Sequence, residues 1–147
     1  ALQFTAPALA QAVEEGIAPD QPPPSGCKTT VDSPFTIGIA PIAPHKRETA
    51  QEFPTQASGS FLTLTLTDGI LRDPSNRTGS IVANYQFQFD GPPQAGAIYT
   101  GGFSVCANGS LALGASTVWY RCMSGDFGNL YDRSIGDQCS EVRIVAM

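Results

Sequence analysis

The chain is short of charge. Asp, Glu, Lys and Arg together make up 14% of its 147 residues, and the net charge is -5. The eight Lys and Arg are spread along the sequence rather than clustered. A nucleic-acid binder needs grouped cations to displace counterions, so no nucleic-acid partner is expected. No apolar run approaches the roughly 20 residues that cross a bilayer as a helix, and no membrane partner is expected. Histidine is nearly absent too. His45 is the single one, and it reads as a surface residue in a Pro-rich stretch. A serine triad or a Cys-His pair would have to use it, and no nucleophile-elbow sequence is present. Zinc-ligand spacing, phosphate loops and dinucleotide fingerprints are missing as well, so the expectation is no metal, no cofactor and no enzyme.

The four cysteines, Cys27, Cys106, Cys122 and Cys139, contain no C-x-x-C pair. Two disulfides are the better reading, and they imply an oxidising compartment. The chain begins at Ala1 rather than Met, which is read as the trace of a removed signal peptide. Asn76-Arg77-Thr78 and Asn108-Gly109-Ser110 are N-glycosylation sequons, with Asn76 and Asn108 as the acceptors. Lys46-Arg47 is a dibasic pair, read as two exposed cations in a loop.

Turn residues are plentiful. Fifteen glycines and twelve prolines favour an all-β fold with many tight turns. Residues 57–147 follow β grammar throughout. Phe61 to Thr67 alternates leucine with threonine, and Asp68-Gly69 after it is a strong hairpin signal. Gly79 to Asp90 gives the longest alternation, with Ile81, Ala83, Tyr85, Phe87 and Phe89 on one side. Val82, Asn84, Gln86, Gln88 and Asp90 fall on the other. This stretch reads as one central strand, ended by Gly91-Pro92-Pro93. Ala97 to Cys106, Leu111 to Leu113, Thr117 to Cys122, Asn129 to Tyr131 and Glu141 to Met147 add further strands.

Residues 1–56 read as an N-terminal arm packed on that body. The arm is Pro/Ala-rich, with a short helix at Pro7 to Gly16 and an edge strand at Phe35 to Ile39. The whole is expected to be one folded unit, a single antiparallel small barrel or sandwich of about 7–8 strands. A barrel is favoured because closure protects the edges of so many consecutive hairpins.

Several long strings carry a family resemblance. They are Gly79-Ser-Ile-Val-Ala-Asn84, Gln86-Phe-Gln-Phe-Asp-Gly-Pro-Pro-Gln-Ala-Gly-Ala-Ile-Tyr99 and Gly109-Ser-Leu-Ala-Leu-Gly114. Cys122-Met-Ser-Gly-Asp-Phe-Gly-Asn-Leu-Tyr-Asp132 and Ile135-Gly-Asp-Gln-Cys139 continue them. On these strings, the region from about Ser60 to Val145 resembles the C-terminal domain of fungal PIR-type covalently linked cell-wall proteins. The repeats with an Asp-Gly-Gln core, through which yeast members attach to β-1,3-glucan, do not occur in these residues. Cys122 and Cys139 fit the family's cysteine pattern, whereas Cys27 and Cys106 depart from it. If one pair is exchanged as a unit, the resemblance implies bridges Cys122–Cys139 and Cys27–Cys106. Counting alone leaves three connectivities open.

The resemblance implies a secreted, non-catalytic protein of the cell wall or the apoplast. Its partners would be wall polysaccharide or an extracellular protein, and the exposed β surfaces, not the resemblance, suggest a second copy of the chain as a homodimer. The alternative is a small secreted effector or elicitor acting at a plant or microbial interface. Sugar sites use aromatic faces against CH groups and amides against hydroxyls. Trp119, Tyr120 and Tyr131 are therefore candidates, with Asn84, Gln86 and Gln88 as a polar row. Core packing is the competing reading for each aromatic. Asp90 and Asp132 are read as carboxylates that bond their own turns.

Overall fold

In the computed structural model, residues 13–42, 62–125 and 127–147 are described. Among them are eleven strands and no helix. They are β1 (Cys27–Lys28), β2 (Val31–Pro41), β3 (Thr63–Thr67), β4 (Ile70–Arg72), β5 (Thr78–Ile81) and β6 (Phe87–Asp90). The chain continues through β7 (Phe103–Cys106), β8 (Leu111–Leu113), β9 (Trp119–Ser124), β10 (Phe127–Tyr131) and β11 (Cys139–Ala146). Most of the expected helix lies outside the described residues, and Glu15-Gly16 form a turn. His45 and Lys46-Arg47 also lie outside the described residues.

Eight strands form one antiparallel sheet in the order β10-β9-β11-β2-β3-β4-β5-β6. The sheet curls until its two outer strands nearly meet. A bridge between Gln86 and Tyr131 links them, and the Asp132 N–H donates to the Tyr85 carbonyl at 3.3 Å. The result is a nearly closed barrel, the arrangement that leaves least free edge. A three-stranded sheet, β1-β7-β8, joins the barrel where Ser110 bridges Val145.

The β3–β4 hairpin follows from its residues. Asp68 and Gly69 take φ of 51° and 81°, the paired positive values of the tight turn that matches strand twist. Leu64, Leu66 and Leu71 then face inward and are buried, and Thr65 and Thr67 are exposed.

Three sequence readings need correction. Phe35 to Ile39 is not an edge. It lies in β2, paired on one side with β11 and on the other with β3. The register shift between Val31 and Phe35 surrounds Pro34, and an irregularity of this kind is where a strand tolerates a residue without an N–H. Nor is Gly79 to Asp90 one strand. It is a hairpin, with β5 and β6 paired from Thr78–Asp90 to Ile81–Phe87. Asn84 makes the turn, because its Oδ1 accepts the Gln86 N–H at 3.0 Å. The Tyr85 N–H donates to the Val82 carbonyl at 2.8 Å, and Tyr85 takes φ of 77°. Alternation survives this turn because Ile81 and Phe87 stand directly opposite, so both face the core. Ala97 to Cys106 is likewise shorter than expected, with a strand only from Phe103.

The core is one cluster that spans both sheets. Phe87 lies between Trp119 at 5.0 Å and Phe103 at 5.6 Å, centroid to centroid. Each such pair adds about 0.5–1.5 kcal/mol beyond the area it buries. The Trp119 indole N–H donates to the Leu111 carbonyl at 3.0 Å, so its polar edge is satisfied inside the core.

Residues 13–21 run as a strap over the outside of the barrel. Glu15 reaches Arg72 at 2.6 and 2.8 Å and accepts the Thr78 hydroxyl. The Ile17 carbonyl accepts from Thr100 and Gly101, and the Ile17 N–H donates to Thr100 Oγ1 at 3.0 Å. Gly101 permits the close approach, since a Cβ there would stand 2.7 Å from the Cα of Gly16.

Candidate functional site

Cross-strand register brings three of the candidate side chains into line. Glu141 of β11 stands opposite Tyr120 of β9, and Tyr120 stands opposite Tyr131 of β10. Tyr131 in turn bridges Gln86 across the closing seam. Residues directly opposite in a ladder share a face. Their neighbours Phe87, Trp119 and Val142 are buried, and Leu130 packs on the core, so the row Gln86–Tyr131–Tyr120–Glu141 faces outward. Gln86 and both tyrosines are half-buried, Glu141 is exposed, and the Tyr120 hydroxyl lies 3.5 Å from Glu141 Oε2. Half-exposed aromatic side chains beside an amide and a carboxylate suit a hydroxyl-rich surface.

The other candidates are elsewhere. Trp119 is 1% exposed and belongs to the aromatic core, because its place in β9 turns it inward while Tyr120 turns out. Its reading as a glycan-stacking ring is corrected. Asn84 makes the hairpin turn and does not continue a polar row. Gln88 follows Gln86 on the outer side of β6, with its amide 3.4 Å from Asp90 Oδ2. The oxygens of Asp90 meet the side-chain amides of Gln88 on its own strand and of Gln94 across the bend that follows. Those of Asp132 accept at 2.8 and 2.9 Å from the side chain of Arg133, the next residue of the same bend.

Sequence reasoning did not place Glu141 beside the two tyrosines, Tyr99 at a cleft, or Asp132 with Arg133. The Arg133 guanidinium lies over the Tyr85 ring at 4.0 Å, and its hydrogen bond to Asp132 holds it more firmly protonated than a free arginine. Beside this group is a cleft of about 320 Å³ whose lining includes Pro19, Gln21, Tyr99, Val118, Trp119 and Asp132. The adjacent Asp and Arg were the available signal. Their meeting with residues 19–21 is a tertiary event.

The bridges are Cys27–Cys106, between paired positions of β1 and β7, and Cys122–Cys139, between paired positions of β9 and β11. Asn76 and Asn108 are both exposed. Asn76 lies in the β4–β5 loop, and Asn108 Oδ1 accepts the Ser110 N–H at 2.9 Å. In that same loop the Asp73 carboxylate is buried. Its oxygens accept from the Ser75 and Arg77 N–H groups and from the Arg77 guanidinium.

Residues 69–142 match the family model described as cell wall mannoprotein PIR1-like, C-terminal domain. The chain belongs to that family. It is 59% identical over 88 residues to the cell wall protein PIR5 of Saccharomyces cerevisiae, covering 59% of this chain and 31% of that protein. To the cell wall mannoprotein CIS3 of the same species it is 59% identical over 87 residues, 58% of this chain and 38% of that one. The chain thus spans about a third of the length of these relatives. No solved structure matches it. The PIR1-like domain is one of secreted proteins located in the cell wall. The matched range contains Gln86, Tyr120, Tyr131 and Glu141 together, and it excludes the strap.

Proposed function

We propose that this PIR1-like domain is a non-catalytic structural module that holds wall polysaccharide non-covalently on the outer face of its barrel. The observation that carries this reading is the row Gln86–Tyr131–Tyr120–Glu141, drawn from three strands and the bridge residue just before β6, and crossing the barrel seam. Two neighbouring rings offer apolar faces to the CH side of sugars. The amide and the carboxylate at the two ends offer partners to hydroxyls. A row across several strands suits an extended polymer better than a small molecule. The effector alternative draws on no feature of this face, and family membership favours the wall.

The test is a pull-down of the folded protein on insoluble β-1,3-glucan and on chitin. The protein should sediment with at least one of them. Tyr120→Ala/Tyr131→Ala should leave it in the supernatant with an unchanged circular dichroism spectrum. A wild-type protein that stays wholly in the supernatant removes the reading. Light scattering in the same buffer separates glycan capture from self-association, since a single-chain mass rules out a homodimer as the sedimenting species.

A further inference from the structure

We propose that the cleft beside Asp132 is a second glycan subsite, one that takes a single neutral pyranose ring or the end of a sugar chain. This rests on the reading of the domain as a glycan-contacting wall module, and it assigns that module a site distinct from the outer row.

The cleft is built from two parts of the chain. Pro19 and Gln21 come from the strap, and Tyr99, Val118 and Asp132 come from the body. The strap wall is fixed before any ligand arrives. Ile17 is bonded to Thr100 through both its N–H and its carbonyl, and Gly16 lies on the bare backbone of Gly101. Pro19 rests on Gly102 and Gly114, where a Cβ would stand 2.7 and 2.9 Å from its ring atoms. A preformed wall loses little entropy on binding.

Charge selects the ligand. Asp132 is the one ionisable acid in the cleft lining, and each of its oxygens accepts a single hydrogen bond from Arg133. A carboxylate oxygen has two acceptor sites, so each keeps one for a ligand hydroxyl. Arg133 neutralises the carboxylate and is itself placed over Tyr85. The pair carries no net charge, so a cation and an anion alike would give up hydration in the cleft without a compensating charge. What remains is a neutral donor of hydroxyls. The walls of Pro19, Tyr99 and Val118 are apolar, and Gln21 brings an amide that donates and accepts. A pyranose has this pattern, with CH groups on its faces and hydroxyls on its rim. A volume of about 320 Å³ is at the small end of ligand cavities, which suits one ring and not the middle of a polymer.

Trp119 is the single tryptophan and lines the cleft, so its fluorescence reports occupancy. The folded protein would be titrated with a β-1,3-linked glucose disaccharide and, separately, with an α-linked mannose disaccharide. A saturable change is expected with at least one of them, with Kd on the order of 1 mM, and none with glucuronic acid. Gln21→Ala should weaken it by roughly fivefold, the loss of one hydrogen bond, and Val118→Phe should abolish it by filling the cleft. Neither variant should affect the polymer pull-down. Tyr120→Ala/Tyr131→Ala should lose the pull-down and keep the titration, so the two sites fail separately. The proposal is overturned if neither disaccharide gives a saturable change at about ten times that concentration. A change that survives Val118→Phe, or equal binding of glucuronic acid, also overturns it.

Discussion

The barrel interior and the strap across it are held by different physics. Inside, Phe87, Phe103 and Trp119 stack with leucines and isoleucines from both sheets, and no single contact fixes the arrangement. Outside, residues 13–19 are placed by a few pointed interactions, namely Glu15 on Arg72 and Thr78, Ile17 on Thr100, and Gly16 against Gly101. Burial is strong and undirected, whereas half-exposed hydrogen bonds and ion pairs are weak and specific. The interior therefore sets stability. The strap sets the shape of the cleft it borders.

Four substitutions would sharpen or break that contrast. Trp119→Ala should have the largest effect, costing about 3–5 kcal/mol from lost packing. Urea unfolding should show the whole cooperative transition moving to lower denaturant. If only the strap melts, the interior does not set stability. Asp73→Ala should cost about 2 kcal/mol, because it leaves the N–H groups of Ser75 and Arg77 without their buried acceptor. The transition should again move as one, by less. Gly101→Ala should cost about 1–2 kcal/mol by steric pressure against Gly16. Amide exchange should speed at Ile17 and Thr100 while β3 and β11 keep their protection. Uniform loss of protection would show that strap and barrel are one cooperative unit.

Glu15→Gln should be smallest, about 0.5 kcal/mol, since the pair with Arg72 is about a third exposed. Limited proteolysis within residues 13–26 should accelerate without a matching shift in the urea midpoint. Acid repeats this test on the wild type. Hydrogen bonds from Arg72 and Thr78 hold the Glu15 carboxyl below its ordinary range. For Asp73, burial pushes the value up, but the bonds from Arg77 and Ser75 outweigh it and the net shift is downward. Depressed folded values mean that both contributions are fully present above the unfolded values near about pH 4. They are lost as pH falls through the lower folded values. Stability should therefore be flat from neutrality to about pH 5 and decline below about pH 4. A decline already complete at about pH 6 would exclude these two carboxylates as its source.

Legibility followed the range of the interaction. The β3–β4 hairpin could be read from Asp68-Gly69 because the turn is made by those two residues alone. The β5–β6 hairpin could not, since Asn84 closes it inside an alternation that never breaks phase. Phe35 to Ile39 looked like an edge because prolines bound it, but a register irregularity beside Pro34 lets β2 sit in the middle of the sheet. At the candidate site, Tyr120, Tyr131 and Gln86 were named from their chemistry. Trp119 carries the same chemistry and faces the other way, and one residue of strand phase makes that difference. The places of Glu141 and Tyr99 could not be read because their partners are far away in the chain.

By itself the sequence determined the β content, the oxidising compartment, the inward positions of Ile81, Phe87 and Phe89, and the family strings from Gly79 to Cys139. These depend on composition, period-two patterning and turn chemistry, all of which act over a few residues. Only the tertiary structure decided that two strands share the stretch from Gly79 to Asp90 and that β2 is central. It alone decided that the barrel closes at Gln86 and Tyr131, which aligns Gln86, Tyr131, Tyr120 and Glu141, and that the strap meets Asp132 and Tyr99. Those outcomes depend on which strands pair and in what register. The choice is made by burying Phe87, Phe103 and Trp119 together, and local patterning does not encode it.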